Sequence, residues 1–263
     1  MLRWLVVFSL MAVGSSAHAA DEILFNGKDL TGWVGLVGMR PGDGERPLAD
    51  VWKVRDGALV CTGGAGTWAS LHTAKSFTNF RLRLEFRWGQ IDPELAKRGG
   101  NIYNSGVFVR SSPRPAGSAT QMPMTYQAQI VHTPLRAGNQ SGGTGDIWIS
   151  GYDHPSFQGE RLPPPRPAAP AGQGASPGGA GFQGQPLPPG QAASRSFPTA
   201  RFAEKPVGEW NSYEITFNGD KMTVKLNGEQ VNTGSGAMVM PGRVGLECEN
   251  TPIAFRNIRV TPL

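Results

Sequence analysis

Apolar and polar residues alternate along several short stretches of the chain. The clearest stretch is FRLRLEFRW (residues 80–88), whose apolar side chains share one face while its charged side chains, including Glu85, share the other. A period of two is typical of a half-buried β-strand. Similar patterns occur in SGVFVR, TYQAQIV, GRVGLECEN and IAFRNIRV. No stretch has a convincing helical period, although DPELAK (residues 92–97) is long enough for one helical turn.

Turn residues separate these predicted strands. Asp56-Gly57 divides VWKVRDGALVC, and SYEITFNGDKMTVKLNGEQV contains turns at Asn218-Gly219-Asp220 and at Asn227-Gly228. Such pairs between β-rich runs predict hairpins. Many short strands without intervening helices predict an all-β sandwich or barrel. Because no linker separates two complete strand sets, we expect one domain over residues 21–263.

A segment rich in Pro, Gly, Ala and Gln covers residues 162–195. It contains no acidic residue, and its only charged residues are Arg166 and Arg195. Such a composition buries too little apolar surface to offset the entropy of folding. We therefore predict a disordered surface insertion within the single domain.

The N-terminus has the pattern of a secretory signal peptide. Arg3 precedes an apolar run from Trp4 to Val13, and Ala17-His18-Ala19 provides a small-x-small cleavage site. The run is shorter than the ~20 apolar residues of a membrane-spanning helix. The sequence predicts a signal peptide at residues 1–20 and a periplasmic or secreted protein without membrane attachment after cleavage.

Charge and cysteine content narrow the classes of partner. The net charge is +5, but the basic residues are scattered rather than clustered, so we expect no nucleic-acid partner. Cys61 and Cys248 form either a disulfide, as an oxidising compartment allows, or two buried thiols. The sequence leaves both alternatives open, and it leaves the oligomeric state open as well.

Five motifs follow one another along the chain: LFNGKDLTGW, GNIYNSGVFVR, GEWNSYEITFNG, KLNGEQV and IAFRNIRV. Together they resemble the bacterial 3-keto-disaccharide hydrolase family, from roughly Ile23 to Leu263 except for the insertion. The resemblance implies a concanavalin A-like jelly-roll β-sandwich of two antiparallel sheets, with a saccharide bound on a concave sheet.

In the first motif, Phe25 and Trp33 flank a polar turn. We expect them to seal the core, the alternative being that Trp33 stacks on a sugar.

GLECEN and NSGVFVR contain candidate catalytic residues. Glu247 and Glu249 share the polar face of one strand, about 7 Å apart, which suits acid–base chemistry at a glycosidic carbon. The alternative is a solvated or ion-paired role. The resemblance favours catalysis, because an acidic residue commonly occupies the position of Glu249 in the family. Arg110 is predicted to donate hydrogen bonds to substrate oxygens or to pair with Glu85, and Asn104 to bind a hydroxyl or cap a turn.

TYQAQIVHT departs from the family pattern. Gln127 and Gln129 share one strand face, but the resemblance implies Glu at position 127 and Asp at position 132. Glutamine cannot exchange a proton, so a general acid is lost there. His132 either replaces that function, since histidine titrates near neutrality, or is an ordinary surface residue.

TGDIWISGYDHP corresponds to a family segment that borders the cleft. It contributes four candidate substrate-binding residues: Asp146, Trp148, Tyr152 and His154. Trp148 or Tyr152 has an apolar ring on which a sugar can stack. The Asp and His residues lack the spacing typical of metal ligands, so the prediction names neither a metal nor a cofactor.

Two functions follow from these residues. The first is cleavage of 3-keto-glycosides or 3-keto-disaccharides by an exported enzyme, with Glu249, then Glu85 or His132, and Arg110 as base, acid and oxyanion donor. The second is a non-catalytic, lectin-like saccharide-binding module, because one fold supports several functions. A saccharide is the expected partner in both.

Overall fold

A computed structural model describes residues 20–37, 47–64, 67–91, 93–97, 103–112, 122–132, 143–151, 157–159, 194–197 and 203–263. The strands are β1 (Glu22–Ile23), β2 (Trp33–Val37), β3 (Trp52–Arg55), β4 (Ala58–Cys61), β5 (Trp68–Phe77), β6 (Phe80–Trp88), β7 (Tyr103–Ser112), β8 (Met124–Val131), β9 (Ile147–Ser150), β10 (Gln158–Gly159), β11 (Ser194–Phe197), β12 (Asn211–Asn218), β13 (Lys221–Leu226), β14 (Glu229–Ser235), β15 (Gly242–Asn250) and β16 (Ile253–Pro262). Two single-turn helices accompany them, α1 (Leu48–Val51) and α2 (Pro93–Lys97).

The strands form two antiparallel sheets. The nine-stranded sheet has the order β10-β14-β13-β12-β6-β16-β4-β3, with β1 paired to β16, and the seven-stranded sheet has the order β11-β9-β8-β7-β15-β5-β2. Strands distant in sequence are neighbours in both sheets, as in a jelly roll. The predicted concanavalin A-like jelly-roll sandwich of two antiparallel sheets is confirmed.

The core lies between the sheets and follows the alternating pattern. In β6, the four predicted inward residues Phe80, Leu82, Leu84 and Phe86 are buried, whereas the residues between them are more exposed. Aromatic rings close the space between the layers; the Tyr126 and Phe217 ring centroids, one from each sheet, lie 5.4 Å apart. One face of each sheet therefore packs inward and the other faces outward.

The predicted hairpin turns are also present. Asp56 and Gly57 have φ of 50° and 71°, and Asn227 and Gly228 have φ of 51° and 85°. Two-residue hairpin turns need positive φ at both positions, which Asn, Asp and Gly adopt most readily.

The first motif has the predicted structural role. Phe25 and Trp33 are buried in the core, and the Trp33 indole Nε1 donates to the Leu24 carbonyl at 2.8 Å. The Asn26 side chain accepts backbone hydrogen bonds from Lys28 and Asp29, so the turn brings both rings onto one core.

Cys61 and Cys248 form a disulfide with a Cα–Cα distance of 5.9 Å. Cys61 belongs to β4 and Cys248 to β15, so the bond joins the two sheets. This result resolves the alternative that the sequence left open.

Some predictions concern residues outside the described ranges. These are residues 1–19 of the predicted signal peptide and residues 162–193 of the predicted insertion. Ser194 and Arg195 differ from the prediction, because they belong to β11 and pair with β9.

Among the described residues, no helix combines the length and apolarity needed to cross a bilayer.

Candidate functional site

A chain of hydrogen bonds crosses the outer face of the seven-stranded sheet. It links three neighbouring strands, β8, β7 and β15, and reaches β5. We call it the carboxylate network, and its members are Trp68, Asn104, Gln127, Gln129, Glu247 and Glu249. Five of these six residues are sequence-predicted candidates, so strand alternation identified most of this face.

Glu247 is the most deeply buried acid of the network, with 2% of its surface exposed. Trp68 Nε1 donates to its Oε1 at 3.0 Å, and Gln127 Nε2 donates to its Oε2 at 2.7 Å. Burial raises the pKa of the Glu247 carboxyl well above its ordinary value, and the charge of Glu249 raises it further, whereas the two hydrogen bonds oppose the shift. A carboxyl in this environment retains its proton more readily than one in water.

Gly106 provides the space through which Gln127 reaches Glu247. Gln127 lies on β8 and Glu247 on β15, with β7 between them. A Cβ atom on Gly106 would overlap the Gln127 side chain. The glycine therefore lets an amide lie across the intervening strand, a function that its position in the sequence does not reveal.

Glu249 is the more exposed carboxylate and is held by a relay of amides. Gln127 Nε2 also donates to Gln129 Oε1 at 2.8 Å. Gln129 Nε2 donates to Asn104 Oδ1, and Asn104 Nδ2 donates to Glu249 Oε2. The two carboxyl groups are thus connected both along β15 and through three amides.

Residues of β5 extend this face beyond what the sequence predicted. Trp68, Ser70 and His72 alternate along β5, and the His72 ring stacks on Phe108 at a centroid distance of 5.7 Å. Burial, with a smaller effect of Arg243, lowers the pKa of His72 to about 4, so its ring is neutral at pH 7. The period-two pattern of β5 was the available signal for these residues, but it did not show which strand would neighbour β15.

Trp148 lies on β9 and is the cross-strand neighbour of Gln127. It is partly exposed, so an aromatic ring borders the network. Within the described residues, its Nε1 has no hydrogen-bond partner.

Arg110 does not lie on this face, and the predicted oxyanion role is wrong. Register shifts interrupt β7 beside it, and its φ is 47°. The side chain points into the interior, where the guanidinium donates to the Thr78 and Gly219 carbonyls and stacks on Phe217. Alternation along a strand fails at a bulge, which is why the predicted face was incorrect.

Glu85 is also separate from the network. It lies on β6 of the other sheet and accepts a 2.6 Å hydrogen bond from Arg256 Nε. It therefore faces outward on the opposite side of the sandwich, and neither its predicted catalytic role nor its predicted pairing with Arg110 is retained.

The remaining candidates lie elsewhere or outside the described residues. His132 packs against Tyr103, and its Nδ1 lies 3.5 Å from Glu204. It is therefore not a member of the carboxylate network that contains Glu247 and Glu249. Asp146 is buried in the turn before β9, where its Oδ1 accepts a hydrogen bond from the Gly143 backbone. Tyr152 and His154 are outside the described ranges. In the part of the chain that the structure describes, no group of three or more His, Cys, Asp or Glu residues is arranged to hold a metal ion.

Solved structures of other proteins share the fold of this chain. Two candidate glycosyl hydrolases from Parabacteroides distasonis share the fold. One has TM-score 0.52 and 18% identity, covering 93% of this chain and 100% of that chain. The other has TM-score 0.50 and 17% identity, covering 92% and 94%.

The κ-carrageenase of Pseudoalteromonas carrageenovora, solved with an oligotetrasaccharide of κ-carrageenan, has TM-score 0.51 and 8% identity, covering 96% of this chain and 98% of that chain. No curated protein matches the sequence. The model of the 3-keto-alpha-glucoside-1,2-lyase-like domain matches residues 21–261. The chain therefore belongs to the 3-keto-alpha-glucoside-1,2-lyase-like family, as the five sequence motifs predicted.

Proposed function

We propose that the protein cleaves the glycosidic bond of 3-keto-glycosides by elimination at the carboxylate network. One observation carries this proposal: a buried carboxyl with a raised pKa, Glu247, lies two residues from the more exposed Glu249 on the same sheet face. Paired carboxyls with different environments suit an acid and a base acting on one bond.

The chemistry follows from the substrate ketone. A carbonyl at C3 acidifies the hydrogen on C2, and Glu249 removes this proton. The electron pair then forms the C1–C2 double bond as the bond between C1 and the leaving-group oxygen breaks. Glu247 donates a proton to that oxygen, and water subsequently adds to the unsaturated sugar.

The amides of the network support this assignment of roles. Gln127 stands where the family resemblance implies Glu, and it donates to Glu247 rather than exchanging a proton. Proton transfer is therefore assigned to the two glutamates, in place of Glu85, His132 and Arg110. Asn104 and Gln129 orient Glu249, and the partly exposed Trp148 ring offers an apolar face to the sugar.

The decisive test compares a 3-keto-disaccharide with its unoxidised parent, following release of monosaccharides. The wild type is expected to cleave only the keto form, because C2–H is not acidic without the ketone. Glu249→Gln should lower the rate by about 10²–10⁴-fold, the usual contribution of a positioned base. The matched control, Glu85→Gln, removes a carboxylate from the outer face of the other sheet and should retain cleavage.

A different result identifies the saccharide-binding alternative. If the wild type binds both sugars and cleaves neither, the protein is a lectin-like module. If Glu85→Gln loses as much activity as Glu249→Gln, the catalytic assignment is wrong even though the activity is present.

We also propose that the protein acts in the periplasm or outside the cell. The Cys61–Cys248 disulfide supports this location, because such bonds persist in oxidising compartments. Cell fractionation tests the proposal, and accumulation of the full-length chain in the cytoplasm would contradict it.

A further inference from the structure

A groove of about 450 Å³ lies on the outer face of the nine-stranded sheet, far from the carboxylate network. Among the residues that line it are Arg55, Arg87, Arg256 and Trp210, and we call it the arginine groove. We propose that the arginine groove binds an acidic oligosaccharide, whose carboxylates the guanidiniums recognise. This site is independent of the proposed catalytic function.

The floor of the arginine groove includes two small apolar side chains, Val60 and Ala254. Val60 and Ala254 are cross-strand neighbours, flanked in the same row by Lys53 on β3 and Arg87 on β6. Adjacent strands lie about 4.8 Å apart, so the Cα atoms of Lys53 and Arg87 are roughly 14 Å from one another across the small side chains. A ring with an apolar face can lie on this floor while its acidic groups meet the cations at its edges.

Trp210 holds two of the guanidiniums in place. The Arg87 and Arg256 guanidinium carbons lie 4.6 Å and 3.9 Å from the centre of its ring. Arg256 is fixed further by its 2.6 Å hydrogen bond to Glu85. Arginine stacked on an aromatic ring keeps its in-plane N–H donors available, so these contacts preorganise donors for a carboxylate.

The charge balance of the groove favours an anion. Among the described residues, neither Arg55 nor Arg87 has an acidic side chain within salt-bridge distance. Asp56 is the acidic residue among those that line the groove, Glu85 already pairs with Arg256, and Glu204 accepts a hydrogen bond from the lining Trp88. An incoming carboxylate would therefore neutralise cations that have no internal counterion.

An acidic saccharide fits better than a nucleic acid. Single-stranded nucleic acids bind along basic grooves whose aromatic rings stack on successive bases. The Trp210 ring already packs against two guanidiniums, which occupy ring surface that a base would need for stacking. The apolar side chains of Val60 and Ala254 instead offer a surface on which the apolar face of a sugar ring can lie.

Isothermal titration with a galacturonic acid hexamer tests the proposal, using the carboxyl-reduced hexamer as the neutral probe at low ionic strength. The wild type should bind only the acidic hexamer. Arg87→Gln and Arg55→Gln should each weaken binding about tenfold, as expected for loss of one charge-assisted contact. Arg81→Gln is the matched control, because Arg81 lies on the same face of β6 about 20 Å away, and it should change affinity by less than about twofold.

Several results would overturn the proposal. Equal losses in Arg81→Gln and Arg87→Gln would mean that only the overall charge matters, and equal binding of the neutral hexamer would exclude carboxylate recognition. Tighter binding of a uridine oligonucleotide, with the same dependence on Arg87, would replace the saccharide by a nucleic acid. Binding lost in Glu249→Gln but retained in Arg87→Gln would place the sugar at the carboxylate network instead. Retained keto-sugar cleavage by Arg87→Gln would show that the variant is folded.

Discussion

Glu247 moves from water into an almost closed hydrogen-bonded position when the chain folds, and this transfer changes its affinity for a proton. Burial and the neighbouring Glu249 both raise its pKa, and the indole and amide donors only partly compensate. The donors remain useful even so, because they hold the carboxyl in one orientation. A group of this kind contributes to chemistry and makes stability depend on pH.

We expect the free energy of unfolding to depend on pH through Glu247. Above the ordinary glutamic acid pKa of about 4.3 and below the raised folded-state pKa, the native protein holds a proton that the unfolded chain has released. The free energy of unfolding of the wild type should therefore fall, relative to Glu247→Gln, as the pH rises through this window. Denaturant titrations of both proteins at a series of pH values measure the difference.

Glu94→Gln is the control for this measurement, because Glu94 is an exposed residue of α2. Its pH profile should match that of the wild type. A constant difference between wild type and Glu247→Gln across the pH series would show that Glu247 has the same pKa in the folded and unfolded states.

At the scale of elements, β15 is the strand on which the site depends. It carries Glu247 and Glu249 on its outer face and Cys248 between them on its inner face. The disulfide ties this strand to β4 of the other sheet, across 187 residues of sequence. The bond therefore restrains the segment that holds both carboxyl groups.

Replacing both cysteines by serine should destabilise the protein and reduce cleavage together. The loop-entropy model gives about 5 kcal/mol for a loop of this length, and measured losses for native disulfides are typically about 2–5 kcal/mol. Denaturant unfolding with and without reductant measures the loss. Reductant should destabilise the wild type but leave the double variant unchanged; equal sensitivity of the two proteins would mean that the bond contributes nothing.

At the scale of the whole molecule, the two sheets share one core and present two chemically different outer faces. The carboxylate network lies on one outer face, and the arginine groove lies on the other. Buried tryptophans, such as Trp52 beside Phe255, report on the space between the sheets. Each sheet needs the other in order to bury its apolar inner face.

We therefore expect the disulfide-bonded protein to unfold as one cooperative unit. Tryptophan fluorescence reports on the core and far-UV circular dichroism on the strands, and their denaturation midpoints should coincide. Two separated transitions would show that the chain contains more than one independently stable unit, against the predicted single domain.

The sequence by itself determined the strands, their turns, the sandwich and the family, since each depends on local periodicity or on motifs that can be read along the chain. It also placed Glu247 and Glu249 together, because alternate residues of a regular strand share a face. The same alternation placed Gln127 and Gln129 correctly.

Only the tertiary structure decided which strands became neighbours and where alternation failed. Arg110 turned inward at a bulge, and Glu85 proved to belong to the opposite sheet. Trp68 joined Glu247 from a position 179 residues away, and Gly106 made room for the Gln127 amide to reach Glu247 across β7. The physical reason is that cross-strand contacts depend on sheet order and register, and these are set by packing of the whole core rather than by any local segment.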